Sequence, residues 1–179
     1  MSSLRDKARL LDERDDIVSA AAAYEELLSS GEASVDDLIE LALVYWRTAD
    51  SGVAAGKGIP LELELHARMR LEQVLAEAVR QDPTNCEAIF WAMYSTFIMY
   101  KQPEHDEIDA LLDSGPNRCE GAFATMWRVG RGDRAEIPAA QAILAQANDL
   151  KKTSKGRYIT RIIRAALTSL RLEDDRAGQ

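Results

Sequence analysis

The stretch RLEQVLAEAVRQDPTNCEAIFWA, residues 70–92, decides the fold. Leu71, Val74, Leu75 and Ala78 recur at helical spacing, so the stretch opens on the end of an amphipathic helix. Asp82-Pro83-Thr84-Asn85 then forms a turn, because proline stops the first helix and tightens the entry to the second. Cys86 opens a new helix to about Tyr100, rich in Phe90, Trp91, Met93, Tyr94 and Phe97. This segment is a joint between two helical units, and the rest of the chain is placed by its offset from it.

Upstream, residues 3–13 and 17–29 read as helices, divided by a charged turn at Glu13–Asp16 and closed by Ser30-Gly31. Ser34 caps a helix to about Ala49, with Asp36 and Asp37 in the first turn where the helix dipole favours anions. Leu38, Leu41, Ala42 and Tyr45 form one stripe of this helix, and Ile39, Leu43 and Trp46 form a second. A helix apolar on two faces is sandwiched between neighbours or lines a groove. Asp50–Pro60 carries three glycines and a proline and reads as a loop, part of an insertion at about 50–65. Downstream, helices are expected over Glu104–Leu112, Arg118–Val129, about 135–150 and about 157–172, with turns at Ser114–Asn117 and Gly130–Asp133. A basic break at Lys151–Gly156 precedes the last helix, and residues 173–179 read as a loose tail.

The chain of 179 residues is 46% apolar and 29% charged, values of an ordinary globular domain, and is read as one domain. No apolar run reaches the ~20 residues that span a bilayer, and the charged N-terminal segment has no leader-like apolar core, so a cytoplasmic protein is expected. Two cysteines, Cys86 and Cys119, read as free packing thiols suited to a reducing compartment. The net charge of −8 is uneven. Residues 1–149 hold 27 acids and 14 bases, and residues 150–179 hold 3 acids and 8 bases. An acidic body disfavours general nucleic-acid binding and steers basic partners.

The turn has an echo. Pro83-x2-Cys86-Glu87-x2-Phe90 recurs as Pro116-x2-Cys119-Glu120-x2-Phe123, an offset of 33 residues. Such a period is the mark of stacked helical hairpins. Leu38-x2-Leu41-Ala42-x2-Tyr45, Ala20-x3-Tyr24 and the ending LAEAVRQDPTN at 75–85 resemble the tetratricopeptide repeat family, in a degenerate form. The resemblance implies an all-α, right-handed stack of antiparallel hairpins, a tetratricopeptide-like α-solenoid of about four units plus a C-terminal helix. It also implies a concave binding face, carried here by Ile39, Leu43, Trp46, Phe90, Tyr94, Phe97, Phe123 and Trp127, with Glu87 and Glu120 at its edge. The last helix, apolar inside and basic outside, either caps this face or leaves it open to a partner. For the Lys/Asn/Arg clamp that such repeats use for peptide carboxylates, Arg5 and Arg9 could serve in the first unit, but the second and third offer Glu40, Glu87 and Trp91, so the clamp is not supported.

No nucleophile–base pair or carboxylate pair is set for catalysis, and no metal or cofactor is expected. His66 and His105 stand apart from the cysteines. Gly52-x3-Gly56-Lys57-Gly58 lacks the spacing and the Ser/Thr of a phosphate loop. The expected function is therefore non-catalytic protein or peptide binding, as an acidic inhibitor, immunity protein or chaperone of a basic partner. The alternative is a nucleic-acid or acidic-surface contact through Lys151, Lys152, Lys155, Arg157, Arg161 and Arg164.

Overall fold

The computed structural model describes residues 3–101, 104–113 and 119–177. The expected turn at 114–117 and the prolines Pro103 and Pro116 lie outside the described residues. The fold is all-helical, with eleven α-helices and no strand among the described residues. None of these helices is long and apolar enough to cross a membrane.

Helix α1 (Leu4–Glu13) and α2 (Ile17–Ser29) form a hairpin, and α3 (Val35–Thr48) lies against α2. The hydroxyl of Ser34 accepts the Asp37 N–H at the start of α3, and the Asp37 carboxylate accepts the Ser34 N–H in return. Helix α3 packs most extensively on α5 (Leu61–Gln81), and α5 packs on α6 (Cys86–Tyr100). The joint between them is built as its residues dictate. Asp82 Oδ1 accepts from Thr84 N–H at 2.9 Å, and Asn85 Oδ1 accepts from Ala88 N–H at 2.9 Å. Helices α7 (His105–Asp113), α8 (Ala122–Gly130), α9 (Ile137–Ala145), α10 (Ala147–Leu150) and α11 (Ser154–Ala177) complete the chain. Helix α11 returns to pack on α3, α8, α9 and α10, and one continuous core joins residues from Ala8 to Leu170.

Four expectations are corrected. Asp50–Pro60 is not a loop: Ser51–Lys57 is helix α4. Asp50 accepts the Gly52 and Val53 N–H groups, Ala54 is buried, and Gly58 stops the helix in the left-handed region at φ 63°. Helix α8 begins at Ala122 rather than near Arg118, because Gly121 adopts φ 142°, a conformation that excludes a helix there. The echo at Cys119 therefore precedes its helix by three residues, whereas Cys86 begins one. Residues 134–150 are a 3-10 turn (Arg134–Glu136) followed by α9 and α10, divided at Gln146. Helix α11 starts at Ser154 and runs to Ala177, so it absorbs most of the expected loose tail.

The cysteines are not free. Cys86 and Cys119 form a disulfide with Cα atoms 6.1 Å apart. The argument for a reducing compartment that rested on free thiols lapses with it. The bond ties the start of α6 to the segment ahead of α8 across a 33-residue separation. Closing a loop of that length in the unfolded chain stabilises the fold by about 3 kcal/mol. Replacing both cysteines by serine is expected to lower the unfolding free energy by that order in urea titration. Adding a reductant is expected to move the wild type to the same value.

Candidate functional site

The aromatic face foreseen as a binding groove is interior. Ile39, Leu43 and Phe90 are fully buried, Tyr94, Phe123 and Trp127 nearly so, and Trp46 and Phe97 half-buried. Helix α11 covers it. Tyr158 sets its ring edge-on to Trp46 at 5.3 Å, and its hydroxyl shares a hydrogen bond of 2.9 Å with that of Tyr94. Phe90 packs on Phe123 at 5.0 Å, and Phe97 meets Trp127 at 5.6 Å. A partner reaching the buried Tyr94 ring must first displace Tyr158 of α11, whereas Trp46 and Phe97 remain partly exposed. Of the two arrangements open to the last helix, the self-capping one is present.

What holds α11 there is ionic. Asp12, from the buried face of α1, is 1% exposed. Its carboxylate accepts the backbone N–H of Ser154 at 2.6 Å and the Ser154 hydroxyl at 2.7 Å. It thus caps α11 from 142 residues away, beside the local cap in which Thr153 accepts from Gly156 N–H. Arg157 donates to Asp12 Oδ1 at 3.0 Å and to the Asp12 carbonyl at 2.7 Å. Arg47 of α3 donates to Ser154 Oγ at 3.1 Å and to Asp15 at 2.5 Å, and Lys57 of α4 pairs with Asp15 as well. Burial works against the Asp15 carboxylate, but Lys57 and Arg47 hold it below the usual carboxylate range. Close approach is enforced two residues along: a Cβ on Gly156 would collide with the Leu150 carbonyl.

Beside this latch lies an acidic cleft of about 400 Å³, lined by Glu40, Glu87, Glu120, Asp149 and Lys155 with Thr153 and Gly121. It brings together the two expected edge residues, Glu87 and Glu120, with two carboxylates that the sequence reading had not placed there. Glu87 accepts from Trp91 Nε1 at 3.1 Å, which fixes its side chain along α6. Lys155 Nζ sits 3.2 Å from Glu87 and 3.9 Å from both Glu40 and Asp36. Burial disfavours the Lys155 ammonium, yet Glu40, Glu87 and Asp36 together raise its pKa. Glu40 responds in the opposite way. Burial pushes its pKa up to about 7, aided by Asp12 and only partly opposed by Lys155. The exposed rim carboxylate of Glu120 has no ion pair among the described residues, and Asp149 pairs only with its neighbour Lys152 at 2.9 Å. Past Gly121 and Ala122 the cleft continues into a second hollow of about 460 Å³, lined by Glu120, Thr125, Arg128, Glu136 and Ile143. Arg128 is engaged there by Asp113, Glu136 and the Leu112 carbonyl.

The basic face expected of the last helix is largely consumed. Arg157 points into the latch, Lys155 into the acidic cleft, and Lys152 onto Asp149. Lys151, Arg161 and Arg164 remain exposed, with Arg161 over the Tyr158 ring at 5.3 Å. His105 packs on Phe97 at 4.5 Å, and His66 is exposed beside the Glu62 carbonyl. Comparison with protein-family models, with curated proteins and with solved structures returns no match.

The latch and the cleft each make a prediction. Asp12→Ala leaves half-buried Arg157 without its main carboxylate and uncaps α11, while Arg47 keeps Asp15. The expected loss is about 3–5 kcal/mol in chemical denaturation, against under about 1 kcal/mol for Lys7→Ala at an exposed surface pair. For Glu40, the unfolded chain releases its proton near the ordinary value of 4.5 and the folded chain near 7. Between those values the folded state holds more protons, so this group makes stability fall as pH rises. Glu40→Gln is expected to remove that fall across the same window, measured as the difference in urea midpoint between wild type and variant.

Proposed function

We propose that this chain is a non-catalytic protein-interaction module, a degenerate stack of helical hairpins. Its acidic cleft receives basic side chains of a partner protein. The observation that carries this reading is Lys155. The chain seats its own ammonium group among Glu87, Glu40 and Asp36, while Glu120 and Asp149 stay at the rim with little to neutralise them. The cleft is thus already an ammonium site on its inner side and a carboxylate surface on its outer side. Rim charges of this kind steer a partner and set its salt dependence more than they add raw affinity. The acidic excess of residues 1–149, 27 acids against 14 bases, extends the same field beyond the cleft. An inhibitor, immunity protein or export chaperone of a basic protein makes this kind of contact.

The alternative, a nucleic-acid contact through the last helix, has less support, because Lys155 and Arg157 are turned into ion pairs with Glu87 and Asp12 and Lys152 is matched by Asp149 at the surface. Affinity capture from the native lysate with immobilised wild-type protein tests the reading. The expected result is a stoichiometric basic protein whose recovery falls with rising salt. Charge reversal at the rim, Glu120→Lys with Asp149→Lys, is expected to reduce that recovery at least tenfold, about 1.4 kcal/mol. Recovery of an acidic partner, or of the same partner undiminished by the double reversal, would overturn it.

A further inference from the structure

Of the eight large apolar side chains exposed among the described residues, five gather on α5 and the end of α6, apart from Leu10, Val18 and Leu172. On α5, Leu61 is 66% exposed, Leu65 69% and Met69 53%. Beside them at the end of α6 stand Tyr100, 54% exposed, and Ile98. The α5 residues are spaced by four, so they lie along one side of the helix. The opposite side, through Ala67, Leu71, Val74 and Ala78, is buried in the core. Tyr100 is held to this face by its hydroxyl, which donates to Glu72 of α5 at 2.7 Å. Two and a half turns of outward leucine and methionine form an unpartnered helix face. A contiguous exposed patch of this kind marks an interaction site.

The charges around the stripe select its occupant. Glu64 and Arg68 lie one turn apart on one flank of the stripe, and neither forms an ion pair among the described residues. The acid is on the amino-terminal side and the base on the carboxy-terminal side. The face is therefore complementary to itself when two copies run antiparallel. A twofold axis beside Leu65 sets Leu65 against Leu65, Leu61 against Met69, and Glu64 of each copy against Arg68 of the other. In a dimer formed this way each contact occurs twice, as isologous symmetry requires. An apolar centre, with Tyr100 and Ile98 at its margin and charges at its rim, is the arrangement of core and rim found in protein interfaces.

We propose that the chain forms a homodimer through the α5–α6 face, with the two α5 helices antiparallel. This surface is separate from the acidic cleft, so the dimer presents two clefts. Sedimentation equilibrium from micromolar to sub-millimolar concentration tests it on the full chain, with circular dichroism to show that each variant is folded. The wild type is expected to dimerise with rising concentration, and Leu65→Glu, at an exposed position, to remain monomeric. Glu64→Arg and Arg68→Glu are each expected to weaken association roughly tenfold, because each change turns two attractive pairs into repulsive ones. The double variant, in which both pairs are restored with reversed sign, is expected to recover wild-type association. A wild type that stays monomeric, a dimer indifferent to Leu65→Glu, or a double variant as weak as the singles would overturn the proposal.

Discussion

The buried carboxylate of Asp12 is the contact on which the arrangement of this chain depends. Nearly everything that distinguishes the molecule from an open helical array follows from the return of α11 across the stack. That return places the N-terminus of a long helix, with its unsatisfied N–H groups and partial positive charge, in the interior. Asp12 satisfies that end and pairs with Arg157 at the same time. A buried carboxylate without these partners would cost several kcal/mol. The seat is therefore specific: α11 is stable only in the register that puts Ser154 over Asp12. Arg47 and Lys57 extend the contact through Asp15 to α3 and α4, so four helices meet at one set of charges.

The charge asymmetry of the chain takes on a different meaning in this light. The basic segment after residue 150 is in large part the internal counter-ion of the acidic body. Lys155 and Arg157, two residues apart, point to separate carboxylate groups on either side of the start of α11. One neutralises the latch and the other lines the cleft. Surplus negative charge is left at the cleft rim, and most of the aromatic rings between are buried in the core. The carboxylates left accessible therefore lie beside the aromatic rings rather than over them.

Much of the fold was legible because its punctuation is local. The Ser34–Asp37 capping pair, Gly31, and the Asp82–Asn85 joint fix helix ends through contacts within a few residues. The failures are of two kinds. Asp50–Pro60 reads as a loop because three glycines and a proline outweigh Asp50, although that carboxylate caps a helix whose buried Ala54 anchors it. Gly121 delayed α8 because its positive φ leaves no mark in a spacing pattern. The second kind is long-range. Matching positions in the echo made Cys86 and Cys119 look like separate packing residues, yet the stacking of α6 beside the segment before α8 joins them. The site was half legible: Glu87 and Glu120 follow from the echo, whereas Glu40 sits inside an apolar stripe. The inward turn of Lys155 and Arg157 depends on partners up to 145 residues distant. Periodicity separates polar from apolar faces but cannot show which charges find partners.

Native-state hydrogen exchange of α11 tests most directly whether this helix is part of the core or a detachable cover. If Asp12 and the aromatic core hold α11 as described, the amides of Ile159–Leu170 exchange only through global unfolding, with the same free energy as those of Leu38–Tyr45 in α3. Exchange of α11 through a separate opening, several kcal/mol below the global value while α3 stays protected, would contradict the account. It would return the aromatic face to the set of accessible binding surfaces.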